Sequence, residues 1–271
     1  MLVQTLPRLL LLLHLFAAGI AGPLSSRAAP PRRDFYQLRI YHLQTAEHAQ
    51  RLDTYLRQAY LPALHRAGIS KVGVFRPAEK TDAGAPAGPA EQLVFVFVPC
   101  RSAEQYLTLE PALEKDKTYQ TDAQQYLGAA FDNPMYARME TVLLRAFTGL
   151  PAFQVPALQG ALSERVYELR SYEGATEKLH ENKVAQFNNG EISIFKRLNF
   201  NTVFCGQVVA GSKMPNLMYL SSFENQADRD AHWRAFGADA EWKKLSAQPE
   251  YAHNMLRMDV YLLHPAAYSE I

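Results

Sequence analysis

The chain has 271 residues, of which 48% are hydrophobic and 20% charged, a composition typical of globular proteins. Its formal net charge of +1 creates no long-range field toward nucleic acid or anionic membranes. The sequence also has neither a basic stripe interleaved with aromatic residues nor a phosphate-binding glycine loop, which argues against nucleic acid as a partner. The length suffices for one large domain or two small ones.

The first 22 residues have the pattern of a signal peptide. Arg8 precedes a dense apolar segment, and Gly19 and Ala21 stand at suitable cleavage positions. The segment is shorter than the roughly 20 residues that a membrane-spanning helix needs. We therefore expect a secreted or periplasmic protein without a stable membrane span after cleavage. A mitochondrial location is the alternative, because residues 1–33 contain arginines but neither Asp nor Glu.

A flexible leader is predicted at residues 23–34, which are rich in Pro, Ala, Ser and Arg. The next segment, residues 35–148, alternates strand and helix patterns in the order β-α-β-β-α-β. The predicted elements are a strand at 35–43, a helix at 46–66 that stops at Gly68, a strand at 70–76, a surface loop at 78–90, a strand at 93–98, a helix at 102–127 interrupted near Pro111, and a strand at 140–147.

A linker with little charge is predicted at residues 149–164, and residues 165–271 then repeat the same order of elements. The predicted elements are a strand at 166–172, a helix at 177–198 with a break at Asn188-Asn189-Gly190, a hairpin of strands at 201–209 and 217–222, a helix at 225–245 and a closing strand at 258–263.

An internal repeat connects the two segments. The motif Tyr-x-Leu-Arg-x-Tyr occurs at residues 36–41 and again at residues 167–172, an offset of 131 that holds for about 36 residues. Near the end, Pro134-x-Tyr136-Ala137 corresponds to Pro249-x-Tyr251-Ala252 at an offset of 115, so the second segment is 16 residues shorter. A repeat of this kind predicts one structural unit used twice. We predict an α+β fold of two ferredoxin-like units.

The first strand of each unit carries the candidate ligand-binding residues on one face, because side chains alternate along a strand. These residues are Gln37, Arg39, Tyr41, Glu168, Arg170 and Tyr172. The opposite face, which begins at Tyr36 and Tyr167, is more apolar, so we expect it to lie beneath the helices of its own unit. The two arginine-bearing faces should then cover each other and form a shared interior.

A buried arginine is costly unless it is paired or hydrogen bonded, which leaves two interpretations. In one, Glu168 and backbone carbonyls satisfy Arg39 and Arg170, and the network fixes how the units associate. In the other, the arginines bind a small anionic or carbonyl-bearing ligand in a pocket lined by tyrosines.

The remaining chemistry-bearing residues favour structural roles. Cys100 and Cys205 are expected to be separate thiols rather than a disulfide. The histidines lack metal-binding spacing; a metal shared by His42 and His48 is the less favoured alternative to solvated or capping roles. We expect no metal and no cofactor. Trp233 and Trp242 are expected to pack in the core, with stacking on a planar ligand as the alternative.

Together these segments resemble the NIPSNAP family over residues 35–265. The resemblance rests on the paired Tyr-x-Leu-Arg-x-Tyr strands, Leu61-Pro62-x-Leu64 with the Gly68-Ile69 turn, the aromatic-rich residues 234–242, and the Met-x-x-Tyr-x-Leu strand at 258–263. It implies a dimeric α/β-barrel arrangement, here pseudo-dimeric because both units lie in one chain. The wider barrel superfamily includes cofactor-free monooxygenases, haem-handling enzymes and stress-responsive domains.

The resemblance implies no catalytic residues. NIPSNAP proteins have no settled enzymatic activity and are discussed as interaction or trafficking-related proteins, often mitochondrial, whereas the first 22 residues of this chain have the pattern of a secretory leader. We therefore expect a protein that binds a small molecule or a protein partner, with Arg39 and Arg170 in the barrel interior. The alternative is a cofactor-independent monooxygenase or isomerase that acts on a small aromatic or carbonyl substrate there, with a His or Tyr as general base. A homodimer stays open.

Overall fold

The computed structural model describes residues 32–78 and 92–271, so the predicted signal peptide and most of the predicted loop at 78–90 lie outside it. The described residues form a mixed α/β fold in which every predicted strand is present, within a few residues of its expected bounds. The strands are β1 Phe35–Leu43, β2 Gly73–Pro77, β3 Gln92–Cys100, β4 Arg138–Ala146, β5 Val166–Glu173, β6 Asn201–Ala210, β7 Asn216–Phe223 and β8 Arg257–Pro265.

The strands close into one antiparallel barrel in the order β1-β3-β2-β8-β5-β7-β6-β4. Strands β1 to β4 lie side by side, as do β5 to β8, and we call residues 35–146 the first half and residues 166–265 the second half. Two strand pairs join the halves: β2 pairs with β8, where Phe75 lies opposite Pro265, and β4 pairs with β6, where Leu144 lies opposite Val208. Closure pairs each described strand on both sides.

The helices follow the strands in the same order in both halves. They are α1 Ala46–Tyr55, α2 Leu61–Arg66, α3 Ala103–Lys115, α4 Lys117–Asp122, α5 Gln124–Leu127, α6 Glu177–Gln186, α7 Ile192–Arg197, α8 Gln226–Ala238 and α9 Ala240–Ser246. The first helix after β1, β3, β5 and β7 begins at a capping side chain, Thr45, Ser102, Thr176 or Asn225, which accepts a backbone N–H three residues later.

Both halves contain a π-helical turn that the sequence did not predict. The turns are Leu56–Tyr60, between α1 and α2, and Phe187–Glu191, between α6 and α7. The predicted break at Asn188-Asn189-Gly190 is therefore wrong, because the chain stays helical through a wider turn. A π turn changes which side chains face the sheet, and such turns are common at functional sites. Here the last residues of the turns, Tyr60 and Glu191, are buried.

The predicted interruption near Pro111 is also wrong. Helix α3 continues through Pro111, which lies on the exposed side of the helix, and ends at Lys115. The break falls instead at Asp116, whose carboxylate accepts the backbone N–H of Tyr119 at 3.0 Å and so caps α4. The helix is therefore interrupted at the capping residue Asp116 and not at Pro111.

Three apolar clusters form the core. One fills the barrel and includes Tyr36, Leu38, Phe97, Tyr167 and Phe204. The other two lie between the sheet and the helices of the first half and of the second half.

The predicted orientation of the strand faces is wrong. The face of Tyr36 and Leu38 points into the barrel, whereas Tyr41, on the arginine-bearing face, packs with Leu52 and Leu56 of the helical layer. The interior of a closed barrel is surrounded by the sheet alone, and no helix reaches it to supply counter-charges. The more apolar face of each strand therefore lies inside the barrel.

The structure also bears on the cysteines and on membrane association. Cys100 and Cys205 are free thiols, as predicted. Both are buried, and burial raises the pKa of the Cys100 thiol to about 12. Among the residues that the structure describes, no helix is both long enough and apolar enough to cross a membrane.

Candidate functional site

The six predicted site residues lie in the two layers between sheet and helices, not in a shared interior. Gln37, Arg39 and Tyr41 face the helices of the first half, and the other three, Glu168, Arg170 and Tyr172, face those of the second half. The two arginines therefore belong to two separate clusters, whose chemistry differs.

In the first half, Arg39 lies under the helices with its side chain only 7% exposed. Its Nη2 donates to Oε1 of Glu110 on α3, and its guanidinium lies over the ring of Tyr60 at 4.8 Å from the ring centre. Burial alone would lower the pKa of Arg39, but the Tyr60, Tyr41 and Glu110 oxygens raise it well above the ordinary value. The guanidinium is therefore permanently charged, with one carboxylate as its ionic partner.

Tyrosines connect Arg39 to the protein surface. Tyr55 stacks on Tyr60 with ring centres 5.7 Å apart, and on Tyr126 at 3.6 Å with an interplanar angle of 6°. The hydroxyl of Tyr55 lies 2.9 Å from that of Tyr119, and the hydroxyl of Tyr41 lies 3.4 Å from that of Tyr126. Phenol rings and hydroxyls of this kind can bind a planar molecule that carries oxygen.

Tyr126 and Met135 line two adjacent openings in this layer. The larger is an open groove of about 410 Å³, lined mainly by apolar residues of the segment from Tyr126 to Tyr136. The smaller, about 80 Å³, has Tyr55 and polar residues such as Arg51 and Asp122 in its walls. The tyrosine cluster of the first half is thus reached from solvent.

Several buried polar atoms around Arg39 have no hydrogen-bond partner among the described residues. They are Oε1 of Gln37, Nε of Arg39 and the hydroxyl of Tyr60. Buried polar groups are nearly always satisfied, and exceptions call for an explanation such as a bound molecule. The three atoms supply an acceptor, a donor and a group that can be either, at one place in the fold.

The second half satisfies its arginine fully. Glu168 is 0% exposed and accepts hydrogen bonds from Nε of Arg170, from Nε of Arg229 at 2.6 Å and from Nε1 of Trp233 at 2.8 Å. The guanidinium of Arg170 covers the ring of Trp233 at 3.8 Å and also donates to the hydroxyl of Tyr172 at 3.2 Å. Trp233 thus packs against protein groups, as expected, rather than offering a free ring.

A buried ion pair lies in the same layer. Nζ of Lys183 donates to Oε2 of Glu191 at 3.1 Å and to Oε1 of Gln186 at 2.8 Å, and it lies 4.9 Å from the ring centre of Phe187. Burial raises the pKa of the Glu191 carboxyl above its ordinary value, although Lys183 opposes this. The ion pairs of Glu168 and Lys183 favour a structural role for these groups, while Oγ of Ser221, opposite Glu168 on β7, has no partner among the described residues.

The buried phenols of the first half predict that the stability of the fold decreases at alkaline pH. Burial, reinforced by neighbouring tyrosines, raises the pKa of Tyr55 and Tyr126 well above the ordinary 10.0, and burial also raises that of Tyr60 although Arg39 opposes it. In the unfolded chain these phenols ionise near pH 10, so the folded state holds more protons above that pH. Stability is therefore full below pH ~10 and falls as the pH rises, by about 1.4 kcal/mol per pH unit for each phenol.

Denaturant unfolding across the alkaline range, with phenolate absorbance recorded in parallel, measures this effect. The buried phenols should ionise together with unfolding, and Tyr55→Phe should reduce the alkaline slope by one proton. Full ionisation of the tyrosines at about pH 10 in a protein that stays folded would contradict the prediction.

Sequence reasoning missed Tyr55, Tyr60, Glu110, Tyr119 and Tyr126. Residues five apart in an α-helix lie on different faces, so Tyr55 and Tyr60 gave no readable signal without knowledge of the π turn. His42, considered for a metal, instead lies 2.7 Å from a carboxylate oxygen of Glu140 through Nε2. The described residues contain no group of three His, Cys, Asp or Glu side chains placed to hold a metal ion.

Comparison with known proteins gives one family match and several structures of similar fold. The NIPSNAP family model matches residues 167–270. No curated protein matches the chain in sequence. Two solved structures are similar in fold. A candidate monooxygenase from Fusobacterium nucleatum has 6% sequence identity and a TM-score of 0.55, and the match covers 86% of this chain and 92% of that chain. A candidate monooxygenase from Lactobacillus acidophilus has 8% identity and a TM-score of 0.51, and the match covers 86% of this chain and 94% of that chain.

A NIPSNAP-like domain protein from Burkholderia xenovorans is also similar, at 18% identity over 40% of this chain and 90% of that chain, with a TM-score of 0.36. The fold is shared with the two candidate monooxygenases, which have 6% and 8% sequence identity to this chain.

Proposed function

We propose that the chain, whose residues 167–270 match the NIPSNAP family model, binds a small organic molecule in its first half. The site is the layer around Arg39 and the tyrosines Tyr55, Tyr60 and Tyr126. The observation that carries the proposal is the group of unpartnered buried atoms on Gln37, Arg39 and Tyr60 within the described residues. The second half has the same architecture but satisfies its arginine with protein groups.

The chemistry of this site favours a ligand with an anionic or carbonyl oxygen and a planar body. A guanidinium with a free N–H recognises such an oxygen, and phenol rings stack on planar molecules. The open groove of about 410 Å³ reaches Tyr126 at the outer end of the tyrosine cluster, whereas Arg39 and Tyr60 do not line it. A protein partner fits this site less well than a small molecule does, because the polar atoms without a partner are buried.

Native mass spectrometry of the full protein, purified gently from its own host, tests the proposal. We expect an adduct of a few hundred daltons in the wild type and its loss in Arg39→Gln, because the variant removes the charge that holds the ligand. Arg197→Gln is the matched control, since Arg197 pairs with Asp239 on the surface away from the cluster. A wild-type mass equal to that of the bare chain would count against ligand binding.

An enzyme is the second candidate, because two proteins of similar fold are candidate monooxygenases. In this arrangement Arg39 would stabilise negative charge on a small aromatic or carbonyl substrate. Burial raises the pKa values of the nearby phenols of Tyr55, Tyr60 and Tyr119, which makes them poor general bases at neutral pH. Binding is therefore the better supported function. Oxygen uptake with a panel of aromatic substrates, lost in Arg39→Gln, would reverse this preference.

Two further parts of the proposal concern the whole chain. We propose that residues 35–148 and 165–271 are two ferredoxin-like copies of one unit that close the barrel together, supported by their equal order of elements. We also propose secretion or export to the periplasm, with a mitochondrial location as the alternative, from the pattern of the first 22 residues. N-terminal sequencing of the mature protein tests the second point, and an uncleaved Met1 would argue against it.

A further inference from the structure

The two arginines differ in where their counter-charge comes from. Glu168 lies on the same strand as Arg170 and is completely buried, so its carboxylate is fixed by the sheet. The corresponding strand position in the first half is the neutral Gln37. Arg39 takes its carboxylate instead from Glu110, a residue of helix α3 whose side chain is 59% exposed.

An exposed carboxylate is easily released. When Glu110 leaves Arg39 its carboxylate regains water, because 59% of its side chain is already exposed, and the buried guanidinium is left to pair with a new carboxylate. Arg39 itself cannot follow, because its side chain is 7% exposed and packed over Tyr60. The guanidinium is thus a fixed positive group with a movable partner.

The contact that Glu110 makes is also incomplete. Glu110 accepts from Nη2 of Arg39, whereas Nε of the same guanidinium has no partner among the described residues. Nε and Nη2 form one edge of the guanidinium, and a carboxylate can accept from both N–H groups in parallel. A carboxylate placed along this edge would therefore bind better than Glu110 does.

We propose that Glu110 holds the place of a ligand carboxylate: the small molecule is a carboxylic acid that displaces Glu110 and accepts from both Nε and Nη2 of Arg39. This inference rests on the proposed binding function and names its chemical class. Glu110 is then a specificity-determining residue, because its negative charge competes with anionic ligands and leaves neutral ones unaffected.

Titration calorimetry with benzoate and its neutral isostere benzamide tests this on the full chain. The proteins are the wild type, Glu110→Gln, Arg39→Gln and Glu114→Gln, the last removing an exposed carboxylate from the same helix. We expect Glu110→Gln to bind benzoate about five- to tenfold more tightly than the wild type, with no change for benzamide. Glu114→Gln should match the wild type, and Arg39→Gln should lose benzoate. Glu110→Asp, too short to reach Arg39, should shift benzoate affinity in the same direction if Glu110→Gln does not fold.

The outcomes separate the two ideas. Equal benzoate affinity in the wild type, Glu110→Gln and Glu110→Asp overturns the exchange and leaves the binding site standing. An equal gain for benzamide shows that Glu110 only blocks space, which overturns the carboxylate class. Failure of both probes to bind any of the folded proteins overturns the proposed site together with this inference.

Discussion

Replacing Phe97 with alanine is expected to lower the free energy of unfolding by about 3–5 kcal/mol, the cost of a large cavity in a closed core. Phe97 of β3 is 0% exposed and stacks on Phe204 of β6, with ring centres 4.9 Å apart and an interplanar angle of 3°. It also contacts Tyr36 and Phe153. Because Phe97 and Phe204 come from different halves, the cavity weakens the contact that holds the halves together inside the barrel.

Denaturant unfolding monitored by circular dichroism and by fluorescence measures this loss. Phe131→Ala is the matched control, since Phe131 is fully exposed at the lip of the groove and its removal should change stability by less than ~0.5 kcal/mol. If the halves close one barrel together, both probes should report a single shifted transition. Two separate transitions, with only the first half destabilised, would contradict a shared core and the proposed pair of mutually dependent copies.

Replacing Glu168 with glutamine is expected to cost a similar amount, about 3–5 kcal/mol, because it removes the carboxylate that pairs with the buried guanidinium of Arg170. The carboxylate accepts from Arg170, Arg229 and Trp233, whereas a glutamine has a single uncharged acceptor oxygen. The side-chain volume is nearly unchanged, so the effect reports charge rather than packing. In the first half, where Gln37 is neutral, the carboxylate that pairs with the arginine comes from Glu110 of α3.

Asp230→Asn provides the control for this experiment. Asp230 accepts from Nη1 of the same Arg229 at 2.9 Å, but its side chain is 42% exposed, so the loss should be about 0–1 kcal/mol. A loss for Glu168→Gln no larger than that of the control would show that Arg170 and Arg229 find other compensation. The second layer would then be less rigid than its hydrogen bonds indicate.

The local elements could be predicted from the sequence because short-range patterns specify them. Alternation marks β1 and β5, three- and four-residue spacing marks α1, and Gly68, with φ of 79°, follows the end of α2 as a helix stop should. The errors at Pro111 and at Asn188 to Gly190 are of one type. Both residue types discourage a regular helix, but the exposed position of the first and the π turn at the second accommodate them.

The six candidate site residues were grouped on one polar face, and that face was assigned to the wrong side of the sheet. Alternation along β1 groups Gln37, Arg39 and Tyr41 without stating what covers them. The expectation that helices take the more apolar face holds for an open sheet with one helical layer. A barrel adds an enclosed interior, and that interior takes the apolar face instead.

The sequence by itself determined the order of strands and helices and the relation to NIPSNAP proteins, since both depend on local pattern or on motif. The tertiary structure alone decided that the two arginines differ. Glu110 and Trp233 lie far from β1 and β5 in the chain, and their approach to the arginines depends on how α3 and α8 pack over the closed sheet. Contacts between residues so far apart in the chain follow from how the helices pack on the sheet, and the spacing of residues along the chain does not predict them.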